Sequence, residues 1–219
     1  IPKVTGVDPT KRHAGAQPIR YVDKCPECNS KLYRVEGEAA HYCPNINGCP
    51  PQIKGRIEHF IQRKAMDIDS LGERTIHQLY ELGLVKSTAD LYDLKRDHIR
   101  KLEGFKDKSI TNLLGGIEIS KERPFENVLF AIGIRYVGKT VAGKLARYFK
   151  NIDTLAKASF DELMHAPEVG EKIAKSVFEF FRKPENQREI SRLRQAGLIL
   201  ESREKEPEKE TDVLGGKSF

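Results

Sequence analysis

The chain has 219 residues, which is enough for one large domain or for two to three small ones with modest cores. It contains 38% hydrophobic and 32% charged residues and no tryptophan, and no apolar run approaches the roughly 20 residues that a membrane helix needs. With no visible secretory signal, this composition excludes a membrane protein and predicts a soluble, cytoplasmic one. The net charge of +6 indicates an anionic partner such as nucleic acid.

The two ends of the sequence indicate a piece of a longer protein. The chain starts at Ile1 and stops at LGGKSF (214–219), a turn followed by what could be the first residues of a strand. The stretch ESREKEPEKETD (201–212) is nearly all charged and shows no apolar periodicity, so it is typical of a solvated linker. A domain boundary near residue 200 follows.

All the cysteines of the chain lie in one short segment, at Cys25, Cys28, Cys43 and Cys49. Their pattern, C-x2-C, then fourteen residues, then C-x5-C, resembles the spacing of a structural zinc site, in which four thiolates complete a tetrahedron. Two disulfides are the alternative, and they would need an oxidising compartment. His41 could also be considered as a ligand, but four cysteines already suffice. A closed site of this kind predicts a zinc ion that supports structure and does not catalyse.

After Pro51 the sequence changes to helical periodicity with short breaks, and four of these breaks resemble one another: IDSLGERTI (68–76), KLEGFKDKSI (101–110), IRYVGKTVA (134–142) and APEVGEKIA (166–174). Aligning them places Gly72, Lys106, Gly138 and Gly170 in register, at intervals of 34, 32 and 32 residues. Such a period predicts a repeated unit of helix, tight turn and helix. A tetratricopeptide array has a similar period, but its aromatic and alanine signature is missing.

Each of these turns has the composition of a phosphate-binding site. Glycine lets a ligand approach the backbone closely, and the next helix presents unpaired N–H groups at the positive end of its dipole. The second turn differs, because Lys106 stands where glycine is expected and Gly104 lies two residues earlier. Cations and a hydroxyl follow or flank the turns, at Arg74, Lys106, Lys108, Lys139, Thr140 and Lys172. The alternative is that the glycines merely end helices and the lysines form a solvated face.

The zinc motif, followed by QIKGRIEHFIQRKAMDIDSLGE (52–73) and NVLFAIGIRYVGKTVA (127–142), resembles the C-terminal portion of bacterial NAD-dependent DNA ligase. The resemblance implies a mainly α fold, with a tandem helix-hairpin-helix domain preceded by a small four-cysteine zinc finger. It also implies four segments: the end of an OB-fold domain (1–22), the zinc finger (23–52), four helix-hairpin-helix motifs (53–200), and a linker with the start of a BRCT domain (201–219). The first glycine of the usual turn is replaced by Ser70, Tyr136 and Glu168.

The resemblance implies that the parent enzyme uses NAD and Mg²⁺ to seal nicks in duplex DNA, as replication and repair require. In that family, AMP is attached to the lysine of a K-x-D-G motif in a separate adenylation domain. The nearest string here is KLEG (101–104), and we interpret Lys101 as a solvated helix residue, so no catalytic residue is predicted and the piece alone should be inactive. The expected partner is nicked duplex DNA, and no membrane partner is expected. An excision-repair or junction-binding DNA protein and a helical protein-interaction scaffold are the alternatives.

Overall fold

The structure, a computed structural model, describes residues 6, 8–13, 15–17 and 19–202. It divides the chain into two compact units, Ile1–Pro50 and Pro51–Phe219. Most of the predicted linker and all of the predicted BRCT segment lie outside the described residues, as does the first part of the predicted OB-fold segment. Those assignments therefore stay predictions. Within the described residues, no helix has the length and apolar character needed to cross a bilayer.

The first unit is small and has little regular structure. It contains a 3₁₀ helix, Pro9–Lys11, and two antiparallel strands, β1 (Tyr33–Arg34) and β2 (His41–Tyr42), in which Tyr33 pairs with Tyr42. Among the described residues up to position 50, Cys25 and Cys49 are the only buried hydrophobic ones. The cysteine cluster thus occupies the place that an apolar core would take in a larger domain.

The second unit is built from helices. They are α1 (Pro50–Ile61), α2 (Glu73–Glu81), α3 (Arg96–Ile99), α4 (Asp107–Ser120), α5 (Phe125–Ala131), α6 (Lys139–Phe149), α7 (Ile152–Lys157), α8 (Phe160–Met164), α9 (Glu171–Arg182) and α10 (Pro184–Gln195). A 3₁₀ helix, Ala89–Asp93, precedes α3. In chain order, the helices on either side of the four repeated turns are α1 and α2, α3 and α4, α5 and α6, and α8 and α9; we call these pairs the first to fourth hairpins. The predicted fold class, mainly α with helix-hairpin-helix motifs after a four-cysteine finger, is confirmed.

The second helix of each hairpin is amphipathic, which explains its position over the core. In α9, for example, Ala174, Val177 and Phe181 are buried, and their spacing of three and four residues places them on one face. Polar residues start the short connecting helices: Asn151 Oδ1 accepts a hydrogen bond from Thr154 N at 2.8 Å, and Ser159 forms a capping box with Glu162. Side-chain capping therefore marks where α7 and α8 begin.

The hairpins are tied together in two pairs. Between the first and second hairpins, Glu103 accepts a bond from Arg74 Nη2 at 2.8 Å, and its backbone amide donates to Gln78 Oε1 at 2.7 Å. Between the third and fourth, Lys144 forms an ion pair with Glu168. The buried Asn127 connects the pairs, since its Nδ2 donates to Ala65 O at 2.9 Å. These contacts fix the hairpin turns within one helical unit.

Candidate zinc centre and nucleic-acid interface

The four predicted metal ligands converge on one point. Their sulfur atoms all lie within 4.8 Å of one another, with Cys25 Sγ 3.8 Å from Cys49 Sγ and Cys28 Sγ 3.4 Å from Cys43 Sγ. A tetrahedral zinc with Zn–S bonds of about 2.3 Å places its sulfurs about 3.8 Å apart. These separations are too long for disulfides, whose S–S bond is about 2.0 Å. The set therefore fits a structural zinc ion.

Tight turns aim the thiols at that point. Cys25 N donates to Ser30 O at 2.8 Å, and Asn29 N donates back to Cys25 O at 2.9 Å, with Asn29 in the left-handed region at φ 58°. On the other side, Cys49 N donates to Asn45 O at 3.0 Å. His41 is not a member of the cluster; its ring stacks on that of Tyr21 at 4.8 Å between centroids. The sulfur atoms alone account for the tetrahedron.

The protonation chemistry of the thiols also favours a cation. Hydrogen bonds from the Ser30 hydroxyl and amide lower the pKa of Cys28 to about 6. Burial, reinforced by the neighbouring thiols, raises the pKa of Cys49 to about 12, and burial raises the pKa of Cys43 as well. Cys43 and Cys49 therefore do not ionise at neutral pH unless a cation compensates their charge. A divalent zinc ion would provide that charge.

The register residues of the repeat occupy one structural position. Gly72, Lys106, Gly138 and Gly170 are the N-cap residues of α2, α4, α6 and α9, and all four have extended backbones with ψ between 172° and 176°. Gly72, Gly138 and Gly170 have no side chain to cap their helices, and the Lys106 ammonium has no acceptor for the first amides of α4. The first N–H groups of four helices are thus open to an outside acceptor.

The residue two positions before each N-cap has a left-handed backbone. The φ angles are 65° at Ser70, 85° at Gly104, 65° at Tyr136 and 61° at Glu168. The departures from glycine at three of these positions therefore leave the turn conformation unchanged. The residue between is hydrophobic in every turn; Leu71, Val137 and Val169 are buried and Phe105 packs against the core. This buried residue holds each turn in place on the helical unit.

The three N-cap glycines face open space. At Gly72, Gly138 and Gly170, an added Cβ would meet no described atom within 4 Å, and no left-handed φ requires glycine there. Neither internal packing nor backbone conformation explains these glycines. A ligand that approaches the main chain from outside would explain all three.

The turns differ in charge. The helix after the third turn begins with Lys139 and Thr140, whereas the other three begin with an acid: Glu73, Asp107 or Glu171. Because a negative charge at a helix start opposes the binding of an anion, the third turn is the most favourable one for phosphate. Beside the second turn, Arg96 Nη2 lies 2.9 Å from Asp107 Oδ1, and Arg100 Nη2 lies 3.7 Å from the same oxygen. The hydrogen bond and charge of Arg96, aided by Arg100, lower the pKa of Asp107.

The predicted DNA-contacting residues all lie at the turns and are exposed: Gly72, Arg74, Gly104, Lys106, Lys108, Gly138, Lys139, Thr140, Gly170 and Lys172. Arg74 is engaged with Glu103, although both side chains are more than three-quarters exposed. Three of the helices begin with an acidic residue and one does not, and the sequence analysis did not identify this difference between the turns. It also missed Arg96, which begins α3, and Arg100, the C-cap residue of α3, whose spacing of four residues indicates a common partner.

Comparison with known proteins identifies both parts of the chain. Residues 24–50 match the model of the NAD-dependent DNA ligase C4 zinc finger domain, and residues 127–190 match that of the helix-hairpin-helix motif. The DNA ligase of Cytophaga hutchinsonii is 56% identical over the whole chain, and those of Phocaeicola vulgatus and Christiangramia forsetii are 54% and 52% identical. The chain spans 33% of the length of each of these relatives. These matches confirm the predicted resemblance to the zinc-finger and helix-hairpin-helix portion of NAD-dependent DNA ligase.

Proposed function

We propose that the chain is the DNA-binding region of an NAD-dependent DNA ligase that seals nicks in duplex DNA during replication and repair in the cytoplasm. The observation that carries the proposal is the repeated turn: four helices start with open amides, and three of them have an N-cap glycine at which an added Cβ would meet no described atom within 4 Å. A DNA phosphate is an anion that such amides bind.

In this proposal the chain binds the DNA, and the ligation chemistry takes place in another domain of the enzyme. NAD would donate AMP to a lysine of an adenylation domain, the AMP would pass to the 5′ phosphate at the nick, and the 3′ hydroxyl would then attack. The hairpins would meanwhile hold phosphates on both sides of the nick. Because main-chain amides contact phosphates and not base edges, the binding should show little sequence preference. Zinc would keep the upstream finger folded.

The salt dependence of affinity tests the electrostatic part of the proposal. If four to six phosphates are neutralised, the affinity of the 219-residue chain for a nicked duplex should fall with salt at a log-log slope of about −4 to −5, since each phosphate contributes about −0.9. Replacing Lys139 with glutamine should reduce the magnitude of the slope by about 0.9. A response that is flat with salt would contradict the proposal.

The open glycine at the third turn gives a sharper test. A Gly138→Val substitution places two methyl groups in the space where a phosphate would lie, without backbone strain, because φ is −76° and ψ is 174°. We expect about tenfold weaker binding, equivalent to losing one charge-assisted hydrogen bond of about 1.4 kcal/mol. Fluorescence anisotropy with labelled duplex measures this affinity. The circular dichroism spectrum of the variant should match that of the parent chain.

Gly143→Val is the matched control. Gly143 lies within the same helix, and an added Cβ there also meets no described atom within 4 Å. This variant should bind DNA like the parent chain. Equal affinities for Gly138→Val and Gly143→Val would favour a scaffold that binds proteins. Comparing nicked duplex, intact duplex and a four-way junction distinguishes a ligase region from a junction-binding protein, because the ligase region should prefer the nicked duplex to the junction.

A further inference from the structure

The third turn carries an exposed aromatic side chain at its bend. Tyr136 is 46% exposed although its backbone is left-handed, with φ 65°. Bulky residues rarely adopt this conformation. The guanidinium of Arg135 lies over the ring, 4.8 Å from its centroid, so the two side chains form a layered pair beside the start of α6.

The same position in the other turns holds residues of different chemistry. Ser70 and Gly104 are small, and Glu168 is paired with Lys144. The aromatic ring therefore does not serve the turn conformation, which three other side-chain types also support. It distinguishes the one turn whose helix begins with Lys139 and Thr140 in place of an acid. The ring and the strongest candidate phosphate site belong to the same turn.

The chemistry of the DNA backbone suggests what the ring contacts. Along each strand, charged phosphates alternate with deoxyriboses, whose C–H faces are apolar. A ring two residues before open amides can reach the sugar next to a phosphate that those amides hold. We propose that Tyr136 packs against the deoxyribose adjoining the phosphate at the third turn, with Arg135 covering the opposite face of the ring. This inference rests on the proposed function, because it assumes DNA at the turns.

The proposal predicts opposite effects of one substitution on stability and on affinity. Tyr136→Gly removes the strain of a left-handed tyrosine, so the thermal midpoint should rise by about 2–4 °C. The affinity for duplex DNA should nevertheless fall about three- to tenfold, because the ring contact is lost. The salt slope should stay unchanged, since the ring carries no charge. A lysine substitution at the same turn would instead change the slope.

Glu168→Gly is the matched control for Tyr136→Gly. It relieves the same strain at the equivalent position of the fourth turn and removes a negative charge. Its thermal midpoint should rise less than that of Tyr136→Gly, because the ion pair with Lys144 is lost, while its affinity for duplex DNA should stay equal or increase. If Tyr136→Gly binds DNA as tightly as Glu168→Gly does, the proposal is wrong.

A fluorescent reporter locates the contact directly. The chain contains no tryptophan, so a Tyr136→Trp variant has a single indole at the proposed site. Titration with nicked and with intact duplex should shift its emission to shorter wavelength, as expected when water around the ring is replaced by sugar. An unchanged spectrum under saturating DNA would overturn the proposal. Failure of the parent chain to bind duplex would instead overturn the proposed function, and the two results are therefore distinguishable.

Discussion

At three of the four hairpin turns, the residue two positions before the N-cap has a side chain although its backbone conformation normally selects glycine. Ser70, Tyr136 and Glu168 have φ angles between 61° and 65°. For a residue with a Cβ, this conformation costs about 1–2 kcal/mol. The buried hydrophobic residue that follows each of them compensates, because fully burying such a side chain contributes about 1.5–3 kcal/mol. The buried hydrophobic residue therefore maintains the turn geometry, and the left-handed residue before it can vary.

Asp90 is a second residue whose local environment matters for stability. Its carboxylate accepts hydrogen bonds of 2.7 Å each from the amides of Lys86 and Ser87 and from Arg192 Nη1. Burial by itself raises the pKa of Asp90, but these three bonds together hold the pKa below its ordinary value. Arg192 belongs to α10, so Asp90 fastens the last helix to the segment between the first two hairpins.

We predict that this contact makes the helical unit sensitive to acid. Because the pKa of Asp90 is lower in the folded state, its contribution is complete above the ordinary pKa of 3.8 and is lost as the pH falls through the folded-state value. Asp90→Asn should reduce the free energy of unfolding by about 1–3 kcal/mol at pH 6. At pH 2 the variant and the parent chain should differ much less. Urea denaturation followed by circular dichroism measures both.

Asp93→Asn is the control for this prediction. Asp93 also bonds to Arg192, but its side chain is 73% exposed. An exposed ion pair contributes about 0–1 kcal/mol, so this variant should lose little stability at either pH. Equal losses for the two variants at pH 6 would show that Asp90 has no special role.

At the scale of elements, one close approach joins the first two hairpins. The backbone of Asp69, in the first turn, lies against Gly116 of α4; a Cβ added at Gly116 would lie 3.0 Å from Asp69 O. The neighbouring Gly115 is different, because an added Cβ there meets no described atom within 4 Å. Two adjacent glycines of one helix thus have different roles, one in packing and one without a visible contact.

We predict opposite effects of alanine at these two positions. Gly115→Ala should raise the free energy of unfolding by about 0.5–1 kcal/mol, because alanine favours the helix. Gly116→Ala gains the same helix preference but forces the first turn away from α4, and overpacking of this kind costs about 1–3 kcal/mol. Its net effect should be a loss of stability. Thermal denaturation of the two variants shows whether each substitution raises or lowers stability. A stabilising Gly116→Ala would show that the backbone of Asp69 can move away from α4.

The sequence predicted the repeated elements well because their signals are local. Glycines in register, a hydrophobic residue before each N-cap and amphipathic spacing indicate where the turns and following helices lie. The ties between elements were not predictable in this way. Asn127 bonds to Ala65, and Arg192 bonds to Asp90, across separations of 62 and 102 residues. No local pattern marks such partners, and the same holds for the close approach of Asp69 to Gly116.

At the scale of the whole molecule, the two units are stabilised by different means. The described part of the first unit buries Cys25 and Cys49 as its only hydrophobic residues, whereas the second unit has a continuous apolar core from Ile53 to Leu200. A segment without an apolar core depends on its metal, and in zinc-finger peptides zinc binding supplies about 10–16 kcal/mol.

Removal of zinc should therefore unfold one unit and spare the other. With a strong chelator at neutral pH, the amide NMR signals of residues 24–50 should collapse to the shifts of an unfolded chain, and proteases should cut there. The helical circular dichroism should change little, because the α-helices lie outside that segment except for Pro50, the first residue of α1. Cys28→Ser should reproduce the effect without chelator, whereas His41→Asn should retain one zinc per chain, since His41 is not part of the thiol cluster. If the chelator left the finger protected, or if His41→Asn also lost its metal, four-thiolate ligation would be wrong.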